Sequence, residues 1–294
     1  MKKNRVKNNL SILLAVIGVL LLLYVVSMLV LFYWSFITSF KGAAKDFNIF
    51  DRNRGFGFPK EWKISNYVSV FNKMTVSINY GKKVGFWVIL VNSLLYALGC
   101  AFLKTLIPCL TAYSCARFDF KSSKIVYGIV LITMIVPIVG SLPSELKIAY
   151  SLGLYNHIWG LWIMAANMQG LYFFVMYSAF KAMPLGYSEA AKIDGASNAQ
   201  ILLKIALPLI RNLFLTVLLI NFVEYWNNYQ SPKVYLPDYP TLGFTLFVKS
   251  KSNDLPEKQQ LIALAFIVAA PVLALFVAFQ NRLMGNLTMG GLKG

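Results

Sequence analysis

Residues 10 to 37 form a run of 28 residues without a single charge. Crossing the hydrocarbon core of a bilayer takes about 20 apolar residues as a helix, so this stretch is expected to span a membrane. Five more runs follow, at residues 86–116, 125–142, 158–180, 205–223 and 261–280. The second holds Lys104 as its only charge, the third carries Pro137, and the sixth contains Pro271. The fifth is the weakest, because it includes Arg211 and runs into Glu224. Prolines within spans are tolerated where neighbouring groups satisfy the freed carbonyls. The leading MKKNRVKNN has the charge of a signal-peptide n-region, but the apolar run is far longer than an h-region of roughly 7–15 residues. No small-residue cleavage site follows, and the run is expected to be retained as the first span.

Composition agrees with a membrane class. Only 13% of residues are charged and 58% are hydrophobic, with a mean hydropathy of +0.62. A soluble domain carries about 25% charged residues, and a chain this poor in charge cannot cover a globular surface. The net charge of +17 comes from basic residues flanking apolar runs, which argues for span borders and against nucleic acid as a partner. Cys100, Cys109 and Cys115 show no CxxC pairing and read as buried thiols. His157 is the lone histidine, with no partner of metal-ligand type nearby. No GxGxxG, P-loop or HExxH pattern occurs, so neither nucleotide binding, a metal site nor catalysis is expected of this chain.

Raw counts of basic residues do not orient the spans: with the N-terminus inside, 13 fall on the cytoplasmic side and 14 outside. The bias is read from short loops near span ends. There KKNRVK and ARFDFKSSK favour the cytoplasm, and both termini are expected to lie inside. Two external loops are long. The first, residues 40–85, contains GFGFP, EW and several aromatic residues and is expected to pack on the protein or a partner. It holds nine Lys or Arg against three acids between Lys41 and Lys83. That balance suits an anionic solute, or an acidic partner protein, the latter slightly preferred. No internal repeat or second domain is visible; a single transmembrane domain is expected over residues 1–294.

The polar stretch YSEAAKIDGASNAQILLKIALPLI interrupts the grease between the fourth and fifth spans, within a loop placed at residues 181–207. Pro184 suits a first helical turn. Ser188 to Asp194 reads as helix, with Glu189 and Lys192 three apart on one face. Gly195 stands where a helix must stop and turn in the left-handed conformation. Ser197 is then a natural N-cap for a second helix, Asn198 to Ala206, ending near Pro208. Two short helices meet at a glycine corner, carrying small alanines and an exposed carboxylate. That is the shape of a docking element. An amphipathic hairpin lying on lipid would want a wider apolar face and more lysine.

EAAKIDGASNAQILLKIALP resembles the EAA signature of the membrane subunits of ATP-binding-cassette importers: EAA, three residues, glycine, nine residues, then I-x-L-P. Glu189, Ala190, Ala191, Gly195, Ile205, Leu207 and Pro208 match it, with Asp194 beside the glycine. Where the pattern often has a further proline after LP, this chain has Ile210-Arg211-Asn212. ARFDFKSSK, LGLYNHIWG, FVEYWNNYQSPKVYL and the tail FQNRLMGNLTMGGLKG are similar to maltose-type sugar permeases. The resemblance implies an all-α integral membrane protein of six transmembrane helices, the type I importer permease fold, with a coupling-helix loop between spans four and five. It further implies a second homologous permease subunit, two ATPase subunits that hold the ATP and Mg, and an extracellular binding protein that delivers a saccharide. This chain would bind no cofactor itself, and would sit multi-pass in a bacterial or archaeal cell membrane.

Glu224 lies in VEYWNNY, among Tyr225, Trp226, Asn227 and Asn228. An intramembrane charge calls for a function, and aromatic faces, amides and a carboxylate suit a sugar. The same cluster also fits an interfacial aromatic belt, so both readings stand. On the second span, Asn92, Ser93 and Tyr96 are weaker candidates for the transport path, since polar contacts between helices explain them equally. Lys104 reads as snorkelling or as facing a partner. Three competing readings stand beside this one: the same importer build for a non-sugar solute, an integral-membrane enzyme, and a scaffold without transport. An enzyme would need an interfacial His, Asp or Glu constellation that this chain lacks.

Overall fold

In a computed structural model the described residues are 2–42, 57–59, 61–78, 81–118, 122–136, 140–168, 170–251 and 258–288, with backbone alone for 2–11, 73, 258 and 281–288. The chain divides into two units. One comprises residues 1–74 and 249–267, the other residues 75–248 and 268–294.

The first unit contains α1 (Lys2–Ser39), α2 (Ser65–Lys73) and the opening turns of α14 (Lys258–Thr288). Along α1, side chains on every face are exposed, Leu20 at 61% and Leu22 at 62% among them. A helix apolar all round is stable only when lipid or another chain surrounds it. Phe32 and Phe36 meet the ring of Phe266 edge-on at 5.5 and 5.7 Å. At the end of α1, Phe40 packs between Trp62 and Tyr67, with ring centroids 5.4 and 5.1 Å away. The Asn66 amide donates to the carbonyls of Ser39 and Lys41 at 2.8 and 2.9 Å. The described aromatic part of the loop after α1 thus folds back on the end of that helix. Four of the loop's nine basic residues (Lys45, Arg52, Arg54 and Lys60), with Gly55 and Phe56 of GFGFP, lie outside the described residues.

The second unit opens with a small antiparallel hairpin, β1 (Thr75–Ser77) against β2 (Lys83–Gly85), pairing Val76 with Val84. An all-α chain was expected; the β-branched valines at alternate positions, with Gly81 in the turn at φ +75°, explain the addition. From β2 the chain enters α3 (Phe86–Arg117), an unbroken helix of 32 residues. Around it pack α6 (Ile158–Ala165), α7 (Leu171–Lys181) and α11 (Arg211–Asn227). One cluster joins Cys109, Tyr113, Phe173, Met176, Phe180, Ile210 and Val217; another joins Tyr96, Cys100, Leu161, Ala165, Tyr235 and Leu236. The three cysteines are free, and Cys100 and Cys109 are buried thiols. Fully buried Asn221 donates to the Thr105 hydroxyl at 2.9 Å, tying α11 to α3 in the way polar side chains join helices in lipid.

Several expected spans take a different course. The stretch 158–180 is two helices, because the chain breaks at residues 166–170, with Gly170 at φ +117°. Asn167 in that break accepts the Lys104 ammonium at 3.2 Å. Lys104 therefore has a partner inside the bundle instead of snorkelling, and irregular backbone is tolerated where protein surrounds it. The third run is helical as α4 (Ser123–Ile135), then resumes as α5 (Leu142–Ser151); Pro137 lies outside the described residues. The fifth begins at Arg211, not 205, and runs to Asn227. The sixth extends over α14, beyond residues 261–280 at both ends. Among the described residues, three helices are long and apolar enough to cross a membrane, or four if a pair bent by 78° at residue 210 counts as one.

Gly99 is where α3 accepts its neighbour. The Trp162 indole lies over it and donates to the Leu95 carbonyl at 2.9 Å, and a methyl group at residue 99 would overlap the ring. Gly99→Ala is expected to cost about 1–3 kcal/mol as overpacking, read as a lower melting temperature of the detergent-solubilised protein by fluorescence-detected chromatography. Gly18→Ala, which meets open space, should melt with the parent protein; equal melting of all three would show that the indole does not rest on α3.

Candidate functional site

The polar loop is held at both ends and bare at its tip. Phe180 at the end of α7 is fully buried, and Ala206 and Ile210 beyond the loop are 2% and 6% exposed. Arg117, the last residue of α3, donates from Nη2 to the Met183 carbonyl at 2.9 Å and so pins the loop's entry to the central helix. Between these roots lies α8 (Leu185–Ile193), capped by Pro184, with no buried residue of its own. Ile193 is 87% exposed, and Leu185 and Tyr187 exceed half exposure. Glu189, Ala190, Asp194 and Gly195 are exposed and Ala191 is half-buried. An uncovered apolar and carboxylate-bearing tip on buried roots is built to meet another surface.

The corner itself follows from glycine. Gly195 takes φ +81°, and the amides of Asp194, Gly195 and Ala196 close on the carbonyls of Ala190, Lys192 and Ala191, a helix stop that glycine allows without strain. Ser197 then caps the second helix: its hydroxyl accepts from the Gln200 amide at 3.3 Å while the Gln200 side chain accepts from the Ser197 amide at 2.8 Å. This reciprocal capping box was half visible in the sequence; Ser197 was identified, Gln200 was not.

The second helix is less regular than its spacing suggests. After α9 (Asn198–Ile201) the turn widens over Leu202–Ala206, where the Leu207 amide reaches the Leu202 carbonyl, before α10 (Leu207–Leu209). Proline inside a regular helix clashes with the carbonyl four residues back. A wide turn placed just before Pro208 relieves that clash, so Ile205, Leu207 and Pro208 continue the helix instead of ending it. The 78° bend follows at Ile210.

At the other end of α11 the VEYWNNY residues part company. Trp226 is 2% exposed and donates to the Val268 carbonyl at 2.8 Å, stacked on Phe222; it is packing, and no longer a candidate for the path. Asn228 is spent on the start of α12 (Gln230–Tyr235), accepting from the Ser231 amide at 3.0 Å. Asn227 donates back to the Val223 carbonyl within α11. Asn92 and Ser93 are likewise consumed, holding the segment before α13 (Leu242–Lys251) through the Pro240 carbonyl and the Leu242 amide. Glu224 stays on the exposed side of α11. Only Tyr96 and Tyr225 are brought together, edge-on at 5.7 Å, in the wall of one cavity of about 150 Å³.

That cavity also draws Glu145 from α5 and Ser231 and Tyr235 from α12. Tyr96 is 1% exposed, and its hydroxyl, beside Ser231, forms no hydrogen bond of good geometry. A buried hydroxyl left unpaired costs about 1–3 kcal/mol. Tyr235 donates to the Glu145 carboxylate at 3.1 Å. Burial first, and that hydrogen bond second, push the Tyr235 phenol up to about 12, so it stays a donor at neutral pH. Glu145 and Tyr235 carry no motif in the sequence, being 90 residues apart, and only the fold pairs them.

Several apolar helices and a rooted, solvent-facing helix–glycine–helix loop make this, as a class, a multi-helix membrane protein. The chain belongs to the family of binding-protein-dependent transport system inner membrane components, whose model matches residues 104–287. Proteins of this family work with an ATPase and a binding protein, and the chain is a transporter subunit, not an enzyme. It is 27% identical over 94% of its length to the diacetylchitobiose uptake system permease of Streptomyces coelicolor, covering 88% of that protein. It is 26% identical to the melibiose/raffinose/stachyose import permease of Bacillus subtilis, over 81% of this chain and 83% of that one. A bacterial ABC transporter involved in the import of the acidic polysaccharide alginate superposes with a TM-score of 0.74 at 22% identity, over 90% of this chain and 94% of the other. The fold is therefore that of an ABC importer permease.

Ser197→Ala should free the Gln200 amide and cost the loop about 1 kcal/mol, and Gly195→Ala about 1–3 kcal/mol through its backbone conformation. Hydrogen exchange is expected to quicken by about fivefold or more across residues 185–209 in both variants and to stay unchanged in α3.

Proposed function

We propose that this chain is one of two homologous membrane subunits of an ATP-driven saccharide importer, paired with a different permease chain as a heterodimer. It crosses the membrane six times with both termini in the cytoplasm of a bacterial or archaeal cell. An extracellular binding protein delivers the saccharide, and two ATPase subunits hold ATP and Mg; this chain holds neither. The sugar class is supported by the relatives' substrates, diacetylchitobiose and the melibiose series, and by the hydroxyl- and carboxylate-lined cavity.

The observation that carries the coupling role is the bare tip of residues 185–195 on roots fixed by Arg117, Phe180 and Ile210. A push on such a tip is passed on as rigid-body motion, because packed cores switch between arrangements without deforming smoothly. ATP-driven closure of the ATPases moves the loop, and the loop moves α7 and α11, whose ends it joins. The substrate path then opens to one side at a time. Glu189 supplies the ion-pair handle to a basic residue of the ATPase, and Ala190 and Ala191 permit close approach.

Glu189→Lys is expected to weaken ATPase docking by at least about tenfold, which is about 1.4 kcal/mol, while membrane insertion is unaffected. Co-purification of the ATPase and sugar uptake should fall together. Normal uptake with normal substrate-stimulated ATP hydrolysis would overturn the coupling role.

A further inference from the structure

Two cavities of the second unit share three lining residues. The inner one, about 150 Å³, is lined by Tyr96, Tyr225, Glu145, Ser231 and Tyr235 among others. The same Glu145, Ser231 and Tyr235 line an outer cavity of about 420 Å³, together with Tyr229, Lys233 and Phe247. The hydrogen bond from Tyr235 to Glu145, 3.1 Å long, stands where the two spaces adjoin. The outer space falls in the size range of ligand pockets, about 300–1,000 Å³. Its wall is a flat stack of Tyr229 on Phe247, centroids 4.3 Å apart and 11° from parallel, with the Lys233 ammonium 5.2 Å over the Phe247 ring.

The chemistry of the inner space is one-sided. It offers two phenol hydroxyls, a serine hydroxyl and the face of Tyr225, and Glu145 is the single charged group in its lining. A carboxylate accepts hydrogen bonds from adjacent hydroxyls and repels a second carboxylate. The buried Tyr96 hydroxyl, beside Ser231 but without a hydrogen bond of good geometry, is the complementary donor. The outer cavity is different, since Lys233 balances Glu145 there. Room for about five waters, at roughly 30 Å³ each, limits the inner space to a single sugar ring.

We propose that the inner cavity is a subsite for one uncharged sugar unit, with Glu145 as acceptor and Tyr96 as donor, closed on its outer side by the Tyr235–Glu145 hydrogen bond. Entry of the sugar replaces Tyr235 by a sugar hydroxyl as the donor to Glu145. The subsite thereby selects neutral saccharides and excludes uronates. It rests on the saccharide-importer reading above, and adds the charge class of the cargo and the residues that read it.

The test uses the transporter as purified with its own subunits and binding protein, reconstituted in liposomes, with raffinose, chitobiose and trigalacturonate as probes. The parent transporter is expected to import a neutral probe and to reject trigalacturonate. At saturating ATP, Glu145→Gln should raise the KM for the neutral probe about tenfold and relax the rejection of trigalacturonate, and Tyr96→Phe should raise KM about threefold or more. Tyr235→Phe should lower KM about two- to fivefold, because the sugar no longer competes with a protein donor. These opposite directions separate recognition from a structural role, in which both members of the Glu145–Tyr235 pair would impair transport alike. Import of a neutral probe with unchanged KM in the Glu145 and Tyr96 variants would overturn the subsite and leave the importer reading intact, as would preference of the parent for trigalacturonate. Import of a non-sugar solute with no saccharide transported would overturn the importer reading itself.

Discussion

Inside the hydrocarbon layer no water is present to satisfy a peptide group, so every stretch of backbone there must be helical or covered by protein. This constraint explains why one long helix, α3, organises the second unit. It satisfies most of its own backbone over 32 residues, with the single interior proline Pro108, and offers a glycine-notched surface at Gly99 for Trp162. Helices that would be irregular in lipid can then lean on it. The break between α6 and α7 survives because Lys104 and Asn167, one from α3 and one from the break, answer each other. At its far end the same helix holds Met183 through Arg117 and so fixes where the docking loop leaves the bundle.

The two functional regions are built on opposite principles. The docking loop leaves its surface uncovered: α8 buries nothing, and the loop's stability comes from a glycine stop, a capping box and two buried roots. The cavity gathers polar groups from segments far apart in sequence and leaves one of them, the Tyr96 hydroxyl, without a hydrogen bond of good geometry. A surface meant for a partner subunit must present itself whole, whereas a passage for a small solute must present single groups at defined places. The likeness to the alginate transporter, at 22% identity, shows the fold alone.

The spacing E-A-A-x₃-G followed by I-x-L-P was readable without a structure because its physics is local. A left-handed glycine, a serine cap and a proline each act on their own turn of backbone, and the observed φ of +81° at Gly195 is what the residue type demands. Two local features escaped notice. Gln200 completes the cap, and the widened turn at Leu202–Ala206 lets Pro208 continue a helix that proline was expected to end. The start of the fifth span at Arg211 follows from that second point, since residues 205–209 belong to the loop helix and not to the span.

Hydropathy by itself determined that this chain lives in a membrane, where its apolar segments lie, and that a polar loop with a glycine corner separates two of them. Those are properties of runs of neighbouring residues, which a bilayer reads much as a sequence does. Only the tertiary structure decided the rest. It sent Trp226, Asn92 and Asn228 into packing and capping, split residues 158–180 in two, and paired Glu145 with Tyr235 across 90 residues. Which polar side chain is left over for a ligand depends on which others have found partners. That is settled by contacts between distant segments, and no run of neighbours records it.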